Sequence, residues 1–200
     1  MLILVRHGRT SANAAGLLQG RIDHELDEVG AQQAEQIAMA LANGDHRPEA
    51  IVTSPLTRAV QTAAATARQL GLMPSVDERW AELAYGDWDG VAISAVPPQA
   101  WLSWRADPAF APPRGESLAE LNVRITGACE ELAAQASQRN IAVFTHVSPI
   151  KSAVRWALGT DEEISWRMHV AQAQITCIGF RNGAPTLQTF NDTSHLSSRT

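Results

Sequence analysis

The chain has 200 residues, 45% of them hydrophobic and 18% charged, with a net charge of −5 at pH 7. A chain of that length can bury roughly 70% of the surface its unfolded form exposes, so it needs no disulfide or metal staple, and its acidic balance excludes a general attraction to nucleic acid or anionic membranes. Affinity for an anion would have to come from a local cluster of basic groups, mainly arginine, because Lys151 is the single lysine.

Leu2 to Val5 is a short apolar run without a helix cap and predicts a buried strand. Thr10 to Gly20 is irregular or weakly helical. Val29, Ala31, Ala34, Ile37, Ala38 and Leu41 recur at helical spacing over Glu28 to Asn43, and Gly44 stops them. Ala50 to Thr53 is a second strand, ended by Ser54-Pro55, and Pro55 suits the first turn of a helix running to Leu70. Ser75 to Asp77 is a candidate third strand.

From about 80 to 116 the pattern loosens into a stretch with Trp80, Trp88, Trp101, Trp104 and five prolines. That is too much tryptophan for a disordered linker, so it predicts a packed, lid-like excursion. Ser117 and Glu120 form a capping box opening a helix to about Gln138. Ile141 to Thr145 is a further strand, with a helix after it from Ser148-Pro149 to Leu158. Thr160 and Glu163 suggest a second capping box. Gln174 to Arg181 and Thr186 to Phe190 read as a β-hairpin around Asn182-Gly183, with Ala184-Pro185 lengthening the connection.

Strands alternating with helices imply one α/β domain over 1–200: a three-layer sandwich with a mainly parallel sheet, helices on both faces and an antiparallel edge hairpin. Such folds bind ligands beyond the carboxyl ends of the strands. Arg6 and His7 end the first strand, Arg58 follows the second, and His146 ends the Ile141 strand. Two arginines and two histidines at one rim repel each other unless an anion lies between them. A phosphoryl group carries the charge and accepts the fork-like donors they offer. The turn after the first strand and the N-terminus of the Pro55 helix would add backbone amides. In that field His7 is pushed toward its neutral form, which can attack phosphorus, and the cations would stabilise an in-line transfer without a metal.

Several segments resemble the histidine phosphatase superfamily, the phosphoglycerate-mutase-like proteins. The opening signature is Leu4-Val-Arg-His-Gly-Arg-Thr10, and Asn13, Leu18-Gln-Gly20 and Leu26-Asp-Glu-Val-Gly30 follow. Next come Thr53-Ser-Pro-Leu-Thr-Arg-Ala-Val-Gln-Thr62, Glu82-Leu-Ala-Tyr-Gly-Asp-Trp-Asp-Gly90, Gly115-Glu-Ser117 and Thr145-His146. The resemblance implies that His7 is a phosphorylated nucleophile, that Arg6, Arg58 and His146 form the phosphate pocket, and that Asn13 is a neighbouring donor. Glu82, which alone reads as a solvated loop carboxylate, becomes the proton donor to the leaving alcohol. Gln19 and Gly20 fall where some members touch substrate, and the Val147 amide faces the phosphate. Many members have a glycine pair after the second histidine; Val147-Ser148-Pro149 makes this loop bulkier, which bears on substrate fit.

The segment after Glu82 looks like the phosphatase branch. The expected activity is hydrolysis of a small phosphorylated metabolite through a phosphohistidine, with no cofactor and no metal. The alternatives are a cofactor-dependent phosphoglycerate mutase and a non-catalytic phospho-ligand module. Nucleic-acid binding lacks a basic stripe, and the six histidines lack the spacing of zinc ligands. Cys129 and Cys177 have no Cys-x-x-Cys partner and read as buried free thiols. Met1-Leu-Ile-Leu-Val lacks the basic start and the length of a signal peptide, and no apolar run reaches membrane-spanning length, so a cytoplasmic location is expected. A homodimer is left open. Trp101 and Trp104 either face the substrate or pack the lid.

Overall fold

In the computed structural model, which describes residues 1–196, six strands form one sheet: β1 (Leu2–Arg6), β2 (Ala50–Thr53), β3 (Ser75–Val76), β4 (Ile141–Thr145), β5 (Ile175–Arg181) and β6 (Ala184–Asp192). Their spatial order is β3-β2-β4-β1-β5-β6. β1, β2, β3 and β4 pair in parallel, whereas β5 runs antiparallel to β1 and to β6. This is the predicted mixed sheet with an antiparallel hairpin at one edge.

The helices are α1 (Ser11–Ala14), α2 (Glu28–Asn43), α3 (Thr57–Leu70), α4 (Pro98–Ala106), α5 (Leu118–Ala136) and α6 (Val147–Leu158). Side chains alternate across a strand, and the sheet uses that alternation to build two cores. Leu2, Leu4, Val143 and Ile178 face α5 and α6 through Leu121, Ile125, Ile150 and Val154. Ile3, Val5, Phe144 and Ile175 face α2 and α3 through Ile37, Leu41, Ala63 and Ala67. Both cysteines are buried and free.

Four local expectations change. α3 begins at Thr57, two residues after Pro55, with Leu56 as an N-cap that makes no side-chain bond. The second capping box is absent: Asp161 precedes a 3-10 helix over Glu162–Arg167, again without a side-chain cap. Ala184 and Pro185 do not lengthen the hairpin turn. They pair with Arg181 and Phe180, and the turn is Asn182-Gly183 alone, with φ of 52° and 80°. Positive φ at both positions matches the twist of the flanking strands. The fourth change concerns the anion site and is described with it.

The loose stretch is ordered by short turns and by aromatic contact. Single 3-10 turns occupy Glu78–Trp80, Gly86–Trp88 and Ile93–Ala95, ahead of α4. Trp104 is 2% exposed and is the hub. Trp101 stacks on it at 5.5 Å with an 11° interplanar angle, while Trp88 and Trp166 each lie 5.8 Å away. Aromatic pairs of this kind contribute roughly 0.5–1.5 kcal/mol each beyond the area they bury. A bridge between Leu17 and Ala92 ties the excursion to the segment after α1.

Candidate active site

β1 and β4 are adjacent and parallel, so His7 and His146 leave the sheet side by side. Their rings lie 5.1 Å apart, centroid to centroid. The turn after β1 brings His7 back on its own backbone: Nδ1 donates to the Gly8 carbonyl at 2.7 Å. A carbonyl can only accept, so the proton sits on Nδ1 and the Nε2 lone pair is left for reaction. The Gly8 amide donates to Thr62 Oγ1 at 3.1 Å, and that hydroxyl donates to the Arg58 carbonyl at 2.7 Å. The turn is thereby bonded to the helix that carries Arg58. It is also pressed against α2: a Cβ on Gly8 would overlap the Gly30 carbonyl, and one on Gly30 would overlap the Arg9 carbonyl.

Arg58 is 1% exposed and is held by two carbonyls, Nη1 to Ile22 at 2.9 Å and Nη2 to Gly20 at 2.8 Å. Arg6 donates from Nη1 to the Val170 carbonyl at 2.7 Å. The two Nε atoms are buried with no partner among the described residues, and so is His146 Nδ1. His146 Nε2 is bonded to Ser54 Oγ at 2.7 Å. Leaving a buried donor unsatisfied costs about 1–3 kcal/mol. Three atoms of this kind lie among the four neighbouring residues Arg6, His7, Arg58 and His146.

Both histidines are pushed well below the ordinary imidazole value. For His7 burial is the largest cause, followed by the Arg6 and Arg58 charges, with the Gly8 bond opposing. For His146 burial again leads, ahead of Arg58, His7 and Arg6. Neighbouring cations, the reason available from sequence, therefore rank second to desolvation.

The remaining predicted residues divide. One cavity of about 290 Å³ is lined by Arg6, His7, Asn13, Gln19, Gly20, Arg58, Glu82 and Val147, among others. The Asn13 carbonyl oxygen accepts the Thr10 amide at 3.1 Å, leaving its NH₂ group as the donor it can offer. Gln19 Oε1 accepts from the Thr10 hydroxyl at 2.9 Å. Gly20 holds Arg58 through its carbonyl, and with φ of 49° and Asp89 against it no side chain would fit there.

Glu82 is 6% exposed, so it is not a solvated loop carboxylate. Its Oε1 accepts from the Leu83 and Ser148 amides at 2.8 and 3.1 Å, and Oε2 from the Val147 amide at 3.1 Å. The carboxylate thus occupies the first amides of α6, where a negative charge is favoured by the helix dipole. The Val147 amide faces Glu82 in this state.

The fourth change is at α3. Its N-terminus does not offer the expected amides: Asp23 accepts from the Thr57 amide and hydroxyl, each at 2.7 Å, and Ser54 Oγ accepts from the Leu56 amide at 3.3 Å. The anion site is built from side chains there.

Sequence reasoning missed Tyr85, Lys151 and His169, which also line the cavity. Lys151 carried a usable signal. It lies one helical turn beyond Val147, so it shares the face of α6 that meets the rim. It also missed the support behind Glu82. Glu116, from the Gly115-Glu-Ser117 segment, pairs with Arg124 at 2.6 Å, and Arg124 Nη2 donates to the Glu82 carbonyl at 3.3 Å. Among the described residues, no group of three or more His, Cys, Asp or Glu is placed to hold a metal ion, and no helix is long and apolar enough to cross a membrane.

Comparison with known proteins gives the same picture. Residues 2–193 match the histidine phosphatase superfamily (branch 1). A bifunctional protein of Mycobacterium tuberculosis is 31% identical over 199 residues, which are 98% of this chain and 54% of that one, so the chain spans about half the length of that curated relative. A glucosyl-3-phosphoglycerate phosphatase of the same organism is 32% identical over 216 residues, with 88% of this chain and 96% of the relative covered. The solved structure of a phosphoserine phosphatase mutant from Entamoeba histolytica, in complex with phosphoserine, superimposes with a TM-score of 0.90 at 28% identity, covering 98% of each chain. The match runs from β1, which presents Arg6 and His7, through the edge hairpin, and on that extent the chain belongs to the histidine phosphatase superfamily, branch 1.

Proposed function

We propose that this protein is a phosphatase that hydrolyses small phosphomonoesters through a phosphohistidine at His7, without a metal. The observation that carries the reading is the bond from His7 Nδ1 to the Gly8 carbonyl, which leaves Nε2 unprotonated in a cavity also lined by Arg6 and Arg58. Relatives named for phosphatase activity on glucosyl-3-phosphoglycerate and phosphoserine support a hydrolase over a mutase.

In the first step Nε2 attacks phosphorus and forms the N–P bond while the P–O bond to the alcohol breaks. Its electron pair goes to the leaving oxygen, which takes a proton from Glu82 in its protonated, carboxylic-acid form. In the second step Glu82 accepts a proton from water, the water oxygen attacks phosphorus, and the N–P bond breaks to regenerate neutral His7. Arg6, Arg58 and His146 stabilise charge on the equatorial oxygens in both transfers. Asn13 donates at the edge, and Gln19 and Gly20 border the substrate. The excursion over 80–116 covers the alcohol side of the site as a lid within one domain. The substrate is a soluble metabolite, in keeping with a cytoplasmic enzyme.

Phosphate release from an alkyl phosphate tests this directly. Wild type should turn over and, quenched during turnover with labelled substrate, carry label on the protein. His7→Ala should lose at least about 10³-fold in kcat and carry none, with its circular dichroism unchanged. A chelator in excess should leave the rate alone. Retained activity above a few per cent in His7→Ala refutes the nucleophile, and a loss to chelator restored by added metal refutes the metal-free mechanism.

A further inference from the structure

Beside the phosphate cavity lies a second one of about 270 Å³. The two share Leu18, Tyr85, Ile93, Val147 and Lys151 as wall residues, so they are neighbouring compartments of one cleft. The boundary runs between consecutive residues: Glu82 lines the first compartment and Leu83 the second. An alcohol whose oxygen lies at Glu82 therefore has the second compartment next to it, beginning at Leu83.

The second compartment is apolar. Beyond the shared residues it is walled by Leu83, Trp101, Trp104, Leu118, Leu121 and Trp166, with Ser148 and Ser165 as the other polar members and Lys151 as its one charged group. A sugar or a carboxylate placed there would give up its water for few partners, which costs free energy unless each polar group is hydrogen-bonded. A ring would meet aromatic surfaces already fixed in place. Trp101 is stacked on Trp104, Trp166 stands edge-on to Trp104 at 78°, and Arg105 lies over Trp166 at 5.3 Å. In size, a cavity of about 150 Å³ is enough to hold benzene, so this one takes one to two rings.

We propose that the second compartment binds the substrate's alcohol, and that this alcohol bears an aromatic or other cyclic hydrocarbon group rather than the serine or glucosylglycerate skeleton of the compounds for which relatives are named. The inference rests on the phosphatase reading for its orientation, and its test separates the two. Wild-type kcat/KM should be on the order of ten- to hundredfold higher for 2-phenylethyl phosphate than for propyl phosphate, the range expected for burying one ring. It should also be higher than for phosphoserine. Both reference esters have primary alcohols as leaving groups, so leaving-group chemistry does not set the phenylethyl-to-propyl ratio. Trp101→Ala, which removes a wall, and Ser165→Phe, which fills the space, should each lower that ratio at least fivefold. A ratio is insensitive to the fraction of enzyme that folds. Parity between the two esters, a preference for phosphoserine, or a ratio unmoved in both variants overturns the subsite while leaving the phosphatase standing. Binding of 2-phenylethylphosphonate against propylphosphonate, measured by calorimetry, covers the converse. A tenfold preference without turnover of any ester would keep the subsite and reject the phosphatase.

Discussion

The phosphate cavity and the apolar cavity share a wall, yet they are built from different kinds of chain. The first takes its reactive groups from the ends of β1 and β4 and from the first turn of α3, positions held by sheet register and by bonds to backbone carbonyls. The second is walled by the excursion between Trp80 and Glu116, with Trp101 and Trp104 on α4, by Leu118 and Leu121 of α5, by the start of α6 and by the 3-10 segment around Trp166, and aromatic contact ties these pieces together. The strand ends are positioned by pairing within the sheet. The excursion is tied together around Trp104. The contrast puts His7 and the cationic side chains on sheet-anchored positions, while Glu82 and the tryptophans of the apolar wall sit on the excursion, whose sequence can change without disturbing the sheet.

That division can be broken by experiment. The largest expected effect after loss of the nucleophile is at Arg58. Arg58→Lys keeps the charge but cannot bond the Ile22 and Gly20 carbonyls together while offering Nε, so kcat/KM should fall about 10²–10³-fold for every ester alike. A loss confined to ring-bearing substrates would place Arg58 in the selective compartment instead. Next is Glu82→Gln, expected to lower turnover of alkyl phosphates about 10²-fold and of an activated aryl phosphate hardly at all, because the latter leaves without a proton. Equal losses for both would argue against an acid role.

The smallest effect is on stability. The folded protein holds His7 and His146 below their unfolded value near 6.5, with burial the first cause. Between the folded and unfolded values the unfolded chain binds more protons, so stability is full above about pH 6.5 and declines as pH falls below it. His195, also lowered by burial, acts in the same direction. Between pH 7 and 5.5, Tm should fall less in His146→Gln than in wild type. A steeper fall in the variant would contradict the sign.

Much of the cavity's polar lining is legible in the sequence because its position follows from few rules, although His146 stands behind His7 rather than in that lining. Apolar runs gave the strands, the carboxyl-end rule picked out Arg6, His7, Arg58 and His146, and the ordered motifs added Asn13 and Glu82. What was hidden depends on which distant groups meet. The Thr57 amide looked free for an anion until Asp23, thirty-four positions away, was found on it. The Val147 amide looked free until Glu82, sixty-five positions away, was found there. Glu82 reads as a solvated carboxylate only while the α6 N-terminus over it is unknown. The apolar compartment was half legible: four tryptophans announced a packed excursion, but Trp166, outside that stretch, completes the wall. Trp104 packs the excursion as its hub and also lines the apolar cavity.

The contact between Gly8 and Gly30 carries a last consequence. Side chains adjust by changing rotamer, so a spacing they set has some give. Here the turn carrying His7 rests on α2 backbone against backbone, so its height above the helix is set by a contact that no rotamer change can relax. α2 places no group in the phosphate cavity, yet it serves as the datum from which the imidazole is aimed.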